Sequence, residues 1–292
     1  MKKGKLISLS IITTLLFFSI VNVSQAAPPS YVGVKKGDQY TWVASIDMAN
    51  INTTAIALVG AGNWTLIYDM IDEMAYNETG LHLDDFLSAA VRLKISNVTD
   101  EVSLSGSIPG VIVFGQFSMK YGGVWLDIND PADPIDIICD PSYINSTNFM
   151  YYLGEGGPPL LLPKGFPYAT VTPWMNSFFA TLEPIYSNLT FSGITNGFNV
   201  TILSEFFEWG FNQSGIPGET PTFSNVNVKA TWNKNGVLDF VALSYGDLTI
   251  VTLKLTSEEE EIPGFAITIF LGVGAVTIIG IIFVIQRKKH II

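Results

Sequence analysis

The chain predicts a mainly β ectodomain: a curved antiparallel sheet, half-barrel or sandwich-like, with one or two packed helices and a C-terminal transmembrane helix. Three observations carry this. Apolar residues alternate at period two through many short segments separated by turn residues, as half-buried strands require. Helical spacing is confined to few stretches. An uncharged apolar run flanked by basic residues stands at each end of the chain. Across 292 residues, 48% are hydrophobic and only 14% charged, well under the ~25% charged usual for soluble proteins. Part of the apolar excess therefore belongs to membrane-directed segments.

Residues 1–26 read as a signal peptide. Lys2, Lys3 and Lys5 precede an apolar run from Leu6 to Val23, and Ser24 and Ala26 put small residues at −3 and −1 of a cut before Ala27. Residues 27–257 form the ectodomain. Asp38–Met48 alternates Tyr40, Trp42 and Ala44 on one face. Trp64–Tyr76 is helical, with Ile67, Met70, Ile71 and Met74 opposite Asp69, Asp72 and Glu73. Ala90–Ser96 and Glu101–Ile108 predict a hairpin around Asn97–Asp100. Val111–Met119 and Val124–Ile128 follow, with Tyr121-Gly122-Gly123 between them. The prolines of Pro158–Pro167 lack donors and exclude regular helix, so this stretch reads as an extended crossover between two groups of strands. A second helix is expected over Trp174–Leu182, after Thr172-Pro173. Strands over Asn188–Ile194, Gly197–Phe206, Phe223–Trp232, Val237–Tyr245 and Leu248–Leu255 complete the pattern. The last three predict a meander, with Asn235-Gly236 in a I′-type turn and Gly246-Asp247 serving the next one.

Residues 258–264 are an acidic linker, Glu258 to Glu261, running into Pro263-Gly264. The segment 265–286 is a transmembrane helix: Phe265 to Ile285 carries no charge and at ~1.5 Å per residue spans the ~30 Å hydrocarbon core. Arg287, Lys288 and Lys289 in the tail 287–292 hold that end in the cytoplasm and leave the ectodomain outside. The predicted location is the cell membrane, with a single pass and the lipid bilayer as partner.

The tail resembles the C-terminal sorting signals of archaeal surface proteins, in which Pro-Gly-Phe precedes an apolar helix and a basic cluster; Pro263, Gly264 and Phe265 match that motif. In that family an archaeosortase removes the tail and a lipid replaces it. Four glutamates here stand where the family has a Thr-rich spacer. Ile262-Pro263-Gly264, the opening Tyr31–Trp42 and the later Ala230–Leu238 also resemble surface proteins of Asgard-type archaea. The resemblance implies a surface location and no particular activity.

Charge and sequons bear on function. Nine basic against 26 acidic residues lie between Lys35 and Glu261, a net −17, which excludes a nucleic-acid partner because phosphate contacts need a basic face. Asn-x-Ser/Thr occurs at Asn52, Asn63, Asn77, Asn97, Asn145, Asn188, Asn199 and Asn212. That is eight of the 17 asparagines after residue 27, where chance gives roughly three. N-glycosylation predicts that these positions are exposed, and Asn63 also reads as the N-cap of the helix after it.

Chemistry has few candidates. Asp127, Asn129, Asp130, Asp133 and Asp136 could supply oxygens to Ca²⁺, although Pro131 breaks an EF-hand pattern; a solvated acidic loop is the plainer reading, and no other cofactor is expected. His82 beside Asp84 and Asp85 is the one histidine between the two apolar ends, and it reads as a surface residue. The single cysteine, Cys139, excludes an intrachain disulfide and reads as a small buried residue. No Gly-x-Ser-x-Gly elbow is present, and Gly154–Gly157 runs into prolines where a phosphate loop needs a helix. The aromatics Trp174, Phe178, Phe179, Phe206, Phe207, Trp209, Phe211, Trp232 and Phe240 read as core, or as the lining of an apolar cavity. The expected function is therefore a non-catalytic, glycosylated surface protein with a structural or interaction role among other envelope proteins. The alternative is an extracytoplasmic binding module for lipid or another apolar solute.

Overall fold

The computed structural model describes residues 28–79, 82, 88–104, 107–121, 123–153, 159–181, 188–213 and 221–256. The signal peptide, the acidic linker, the sorting motif, the transmembrane helix and the basic tail fall outside them. Among the described residues no helix is long and apolar enough to cross a membrane.

One open, antiparallel, 11-stranded sheet organises the chain. Its strands are β1 (Gln39–Ile46), β2 (Ser88–Val98), β3 (Val102–Ser103), β4 (Pro109–Tyr121), β5 (Val124–Asp127), β6 (Pro134–Cys139), β7 (Leu189–Ile194), β8 (Gly197–Ile202), β9 (Val226–Trp232), β10 (Leu238–Tyr245) and β11 (Leu248–Thr256). The order is β3-β4-β2-β1-β11-β10-β9-β8-β7, and β5 and β6 also pair with β4. The first and last strands lie side by side at the centre, Ala44 opposite Leu253. That pairing joins the two strand groups into a single sheet.

The sheet buries one face. Trp42, Leu93, Val241 and Leu253 lie within it, Trp42 with no exposure at all. The crossover lies against this core: Leu161 and Leu162 are buried, and Leu162 N–H donates to Gly236 O at 2.7 Å. The Trp232 indole N–H anchors it further by donating to Pro159 O at 2.9 Å, while the Trp42 indole donates to Leu238 O of β10 at 2.7 Å. Buried donors need such partners.

Five α-helices stand among the described residues: α1 (Met48–Val59), α2 (Ala61–Thr79), α3 (Met150–Leu153), α4 (Tyr168–Thr181) and α5 (Ser204–Gln213). This exceeds the expected one or two: α1 and α3 lie where no element was expected, and α5 takes over the end of the strand predicted over Gly197–Phe206. Asp47 terminates β1 by accepting the Asn50 N–H at 2.9 Å, which caps α1. Asn63 sits inside α2, its amide donating to Val59 O, so it is not an N-cap. Helix α4 starts six residues earlier than expected and carries Pro173 within it, while the Thr172 hydroxyl donates to Tyr168 O at 2.8 Å. Pro173 forfeits one backbone bond.

Two other expectations change. Strand β2 pairs with β1 and β4, and only Val102–Ser103 of the predicted partner is strand, itself paired with β4. The long alternation of β4 can serve several neighbours, and sequence spacing alone could not choose among them. The Asn235-Gly236 turn is not I′: of the two, only Gly236 has positive φ, at 74°. Gly236 N–H donates to Asn233 O and Asn233 N–H to Val237 O, the longer hairpin loop with glycine in its left-handed position. Its α-hydrogen side faces Leu162 O so closely that a Cβ would sit 1.9 Å away.

Candidate functional site

The acidic turn after β5 is built into the sheet. Strand β4 is edged by β5 at Ser118–Tyr121 and by β6 at Gly110–Phe114. Asn129 fills the gap between them: its amide oxygen accepts Phe117 N–H at 2.6 Å and its NH₂ donates to Gly115 O at 2.9 Å. A side-chain amide here does the work of a strand backbone. The other four proposed Ca²⁺ ligands also have protein donors. Asp127 accepts from the Ser118 hydroxyl, Asp130 from Ala132 N–H, and Asp133 from Asp130 N–H. Asp136, expected in a loop, lies in β6 and accepts from Ile137 and Leu161 N–H at 2.8 and 3.0 Å. Burial pushes its carboxyl up from 3.8 to about 7, against the pull of those two bonds. Among the described residues no three His, Cys, Asp or Glu side chains are grouped to hold a metal ion.

His82 is exposed. Its Nδ1 lies 2.8 Å from Asp72 Oδ2, and its ring stacks on Tyr76 at 4.7 Å between centroids. Asp72 and Tyr76 are one turn apart on α2, so the pair clamps the imidazole to the helix surface. Asp84, Asp85 and Gly154–Gly157 lie outside the described residues. Cys139 is buried and unpaired on β6. Burial, and then the charge of Asp136, push its thiol up to about 11, away from the thiolate a nucleophile needs.

The aromatic groups pack on one another. Phe166, Tyr168, Phe198 and Trp232 form a cluster with centroids 5.1 to 6.1 Å apart. Phe179 stacks on Phe191 at 4.9 Å, and Phe207 contacts Phe206 and Phe223. These are core contacts. Trp209 and Phe178 remain exposed. Asn176 on α4 closes the sheet's β7 edge, donating to Phe191 O and accepting Phe191 N–H at 2.8 Å each. An open edge strand is a template for unwanted pairing, and Asn176 occupies it.

A groove of about 510 Å³ lies beside the segment leading into β1, lined by Val32, Lys35, Gln39, Tyr40, Lys164 and Asn235 among others. It marks the place where the segment before β1 meets the 233–237 turn. Gly33 approaches the 233–237 turn so closely that a Cβ would lie 1.8 Å from Asn235 O. Lys164 N–H donates to Tyr31 O alongside. Glycine at 33 is a packing requirement.

None of the eight sequon asparagines is buried: Asn63, Asn77, Asn145 and Asn212 are exposed, and Asn52, Asn97, Asn188 and Asn199 partly so. No family model matches the chain, and no curated protein matches it. The fold defines a class only: a mainly β protein built on one large open antiparallel sheet with few helices.

Proposed function

We propose that the chain is an archaeal-type cell-surface protein, exported, N-glycosylated and held by one C-terminal membrane helix, with a non-catalytic role in the envelope. The observation that carries this reading is the pairing of its two ends. A basic, apolar and small-residue leader stands before Ala27, and an uncharged run followed by Arg287-Lys288-Lys289 closes the chain. The accessibility of all eight sequon asparagines supports it, since a glycan cannot be attached to a buried amide.

Mass analysis of native protein tests each part. N-terminal sequencing begins at Ala27, and glycopeptides carry sugar at several of the eight asparagines. A start at Met1 with unmodified sequons would overturn the reading. We hold the helix to be retained, since about 20 apolar residues anchor a chain without a lipid. A mass ending at Ile292 agrees, and loss of the segment after Glu261 with an added lipid replaces retention by sorting.

A further inference from the structure

The groove beside the segment leading into β1 lies where the chain leaves the sheet. Strand β11 ends at Thr256, opposite Thr41 on β1. On its other side Lys254 is opposite Phe240 of β10, which opens at Leu238 directly after the 233–237 turn. The groove's lining includes Gln39 and Tyr40, the two residues before Thr41, and Asn235 of that turn. Glu258, Glu259, Glu260 and Glu261 follow Thr256 after the single residue Ser257. Four carboxylates therefore depart from the sheet at the rim of this groove.

Basic residues gather at the same place. Lys35 and Lys164 line the groove. Lys36 and Lys234 adjoin lining residues in sequence, and Lys254 stands two residues before the end of β11. These are five of the nine cations between Lys35 and Glu261, so a region of net −17 has put most of its positive charge at one end. Lys35, Lys36, Lys234 and Lys254 are exposed, and Lys164 is half-buried. Among the described residues none of the five forms an ion pair. The carboxylates placed here by contact or register are Asp38, Glu101 and Asp239. Asp38 lines the groove and already accepts Lys35 N–H at 2.9 Å and the Tyr40 hydroxyl at 3.2 Å. Glu101 accepts the Tyr31 hydroxyl at 3.0 Å. Asp239, exposed in the β10 bulge, offsets one cation of the rim.

We infer that Glu258–Glu261 dock in this groove, their carboxylates against Lys35 and Lys164, as a built-in tether between the sheet and the anchor. Connectivity and charge complementarity select this occupant. Four extended residues reach ~13 Å from Ser257, so the run cannot travel far from the groove's rim. Exposed ion pairs are individually weak, but a short tether supplies a local concentration on the order of millimolar. Attached glutamates therefore hold the groove against free small anions. Docking also relieves the mutual repulsion of four successive like charges. Its consequence is orientation, and that consequence rests on the surface reading. With the glutamates docked, only Ile262–Gly264 separate the groove from the helix 265–286, so the start of β1 faces the bilayer. Helix α1 follows the opposite end of β1, after Ile46, and begins distal to the bilayer.

Zero-length carbodiimide coupling and amine labelling of the full chain in phosphatidylcholine nanodiscs test the docking. Coupling is expected to join Glu258–Glu261 to Lys35 or Lys164 within one chain, which a mixture of light- and heavy-isotope protein distinguishes from coupling between chains. The variant E258Q/E259Q/E260Q/E261Q should raise the labelling rates of Lys35 and Lys164 at least threefold and leave that of Lys229, on β9, within twofold of the parent. Salt at about 1 M should release the same two lysines in the parent, because it screens exposed pairs. Unchanged Lys35 and Lys164 rates in the variant, coupling between chains alone, or protection of both lysines only when the nanodiscs contain phosphatidylglycerol would each overturn the docking. The surface reading is judged separately, by the N-terminus and the glycopeptides.

Discussion

The two flanks of the central β1–β11 pair are built differently. On one side β11, β10, β9, β8 and β7 follow each other as neighbours, each strand pairing with the next in sequence. On the other, β4 serves β2, β3, β5 and β6 along 13 residues. The first flank closes three of its four connections with a local turn, such as Gly246 at φ 56° and Asn196 at φ 57°, and joins β8 to β9 through α5. The second closes with side chains: Asn129 bridges the gap in the β4 edge, and Asp136 reaches from β6 to the crossover at Leu161. Local turns carry their instructions in two or three residues. Side-chain bridges depend on residues brought together from far along the chain.

Breaking the seam between the flanks should cost most. Trp42→Ala removes a side chain with no exposure and its bond to Leu238 O. A loss of about 3–5 kcal/mol is expected, read as the urea midpoint of the full chain in detergent. A loss under 1 kcal/mol would show that the flanks are stable independently of the seam.

The bridged flank should also respond to pH, unlike the meander. The Asp136 carboxyl is raised from 3.8 to about 7, so folding favours its neutral form. Its contribution is therefore complete below the unfolded value and is lost as pH rises through about 7. The loss amounts to at most about 4 kcal/mol. Asp136→Asn should flatten stability between about pH 4 and 8, and an unchanged profile would assign the slope to another group.

Glycine substitutions sharpen the contrast further. In Gly197→Ala the new methyl would meet Ala230 O at 2.0 Å, backbone against backbone. In Gly115→Ala two of the nearest atoms are the side-chain ends of Ile135 and Leu93 at 2.9 Å, which can move. About 2–3 kcal/mol is expected for the first and about 1 kcal/mol for the second, measured by thermal unfolding; the reverse order would mean that the bridged flank is the more rigid one. The smallest effect belongs to metal removal. With each of the five acidic-turn side chains bonded to a protein donor, EDTA should leave Tm unchanged, and a clear chelator-dependent drop would restore a Ca²⁺ site.

What the sequence could and could not specify follows the same division. Alternation at period two, with Asn235-Gly236 and Gly246-Asp247 as punctuation, located β9, β10 and β11 to within three residues. The prolines of the crossover marked an extended stretch, and 159–167 contains no helix. These are local properties: φ preference, missing donors and the two faces of a pleat. Helix α1 was hidden because its start depends on Asp47 turning to accept the Asn50 N–H, inside what otherwise reads as a continuing strand. The acidic turn read as a set of oxygens for a cation because Asp and Asn are acceptors in any context, and only the tertiary structure showed which donors they take. Partner choice for β4 and the union of β1 with β11 were likewise decided at that level. Strand register converts residues separated by more than a hundred positions into neighbours, and no periodicity within a single segment contains that pairing.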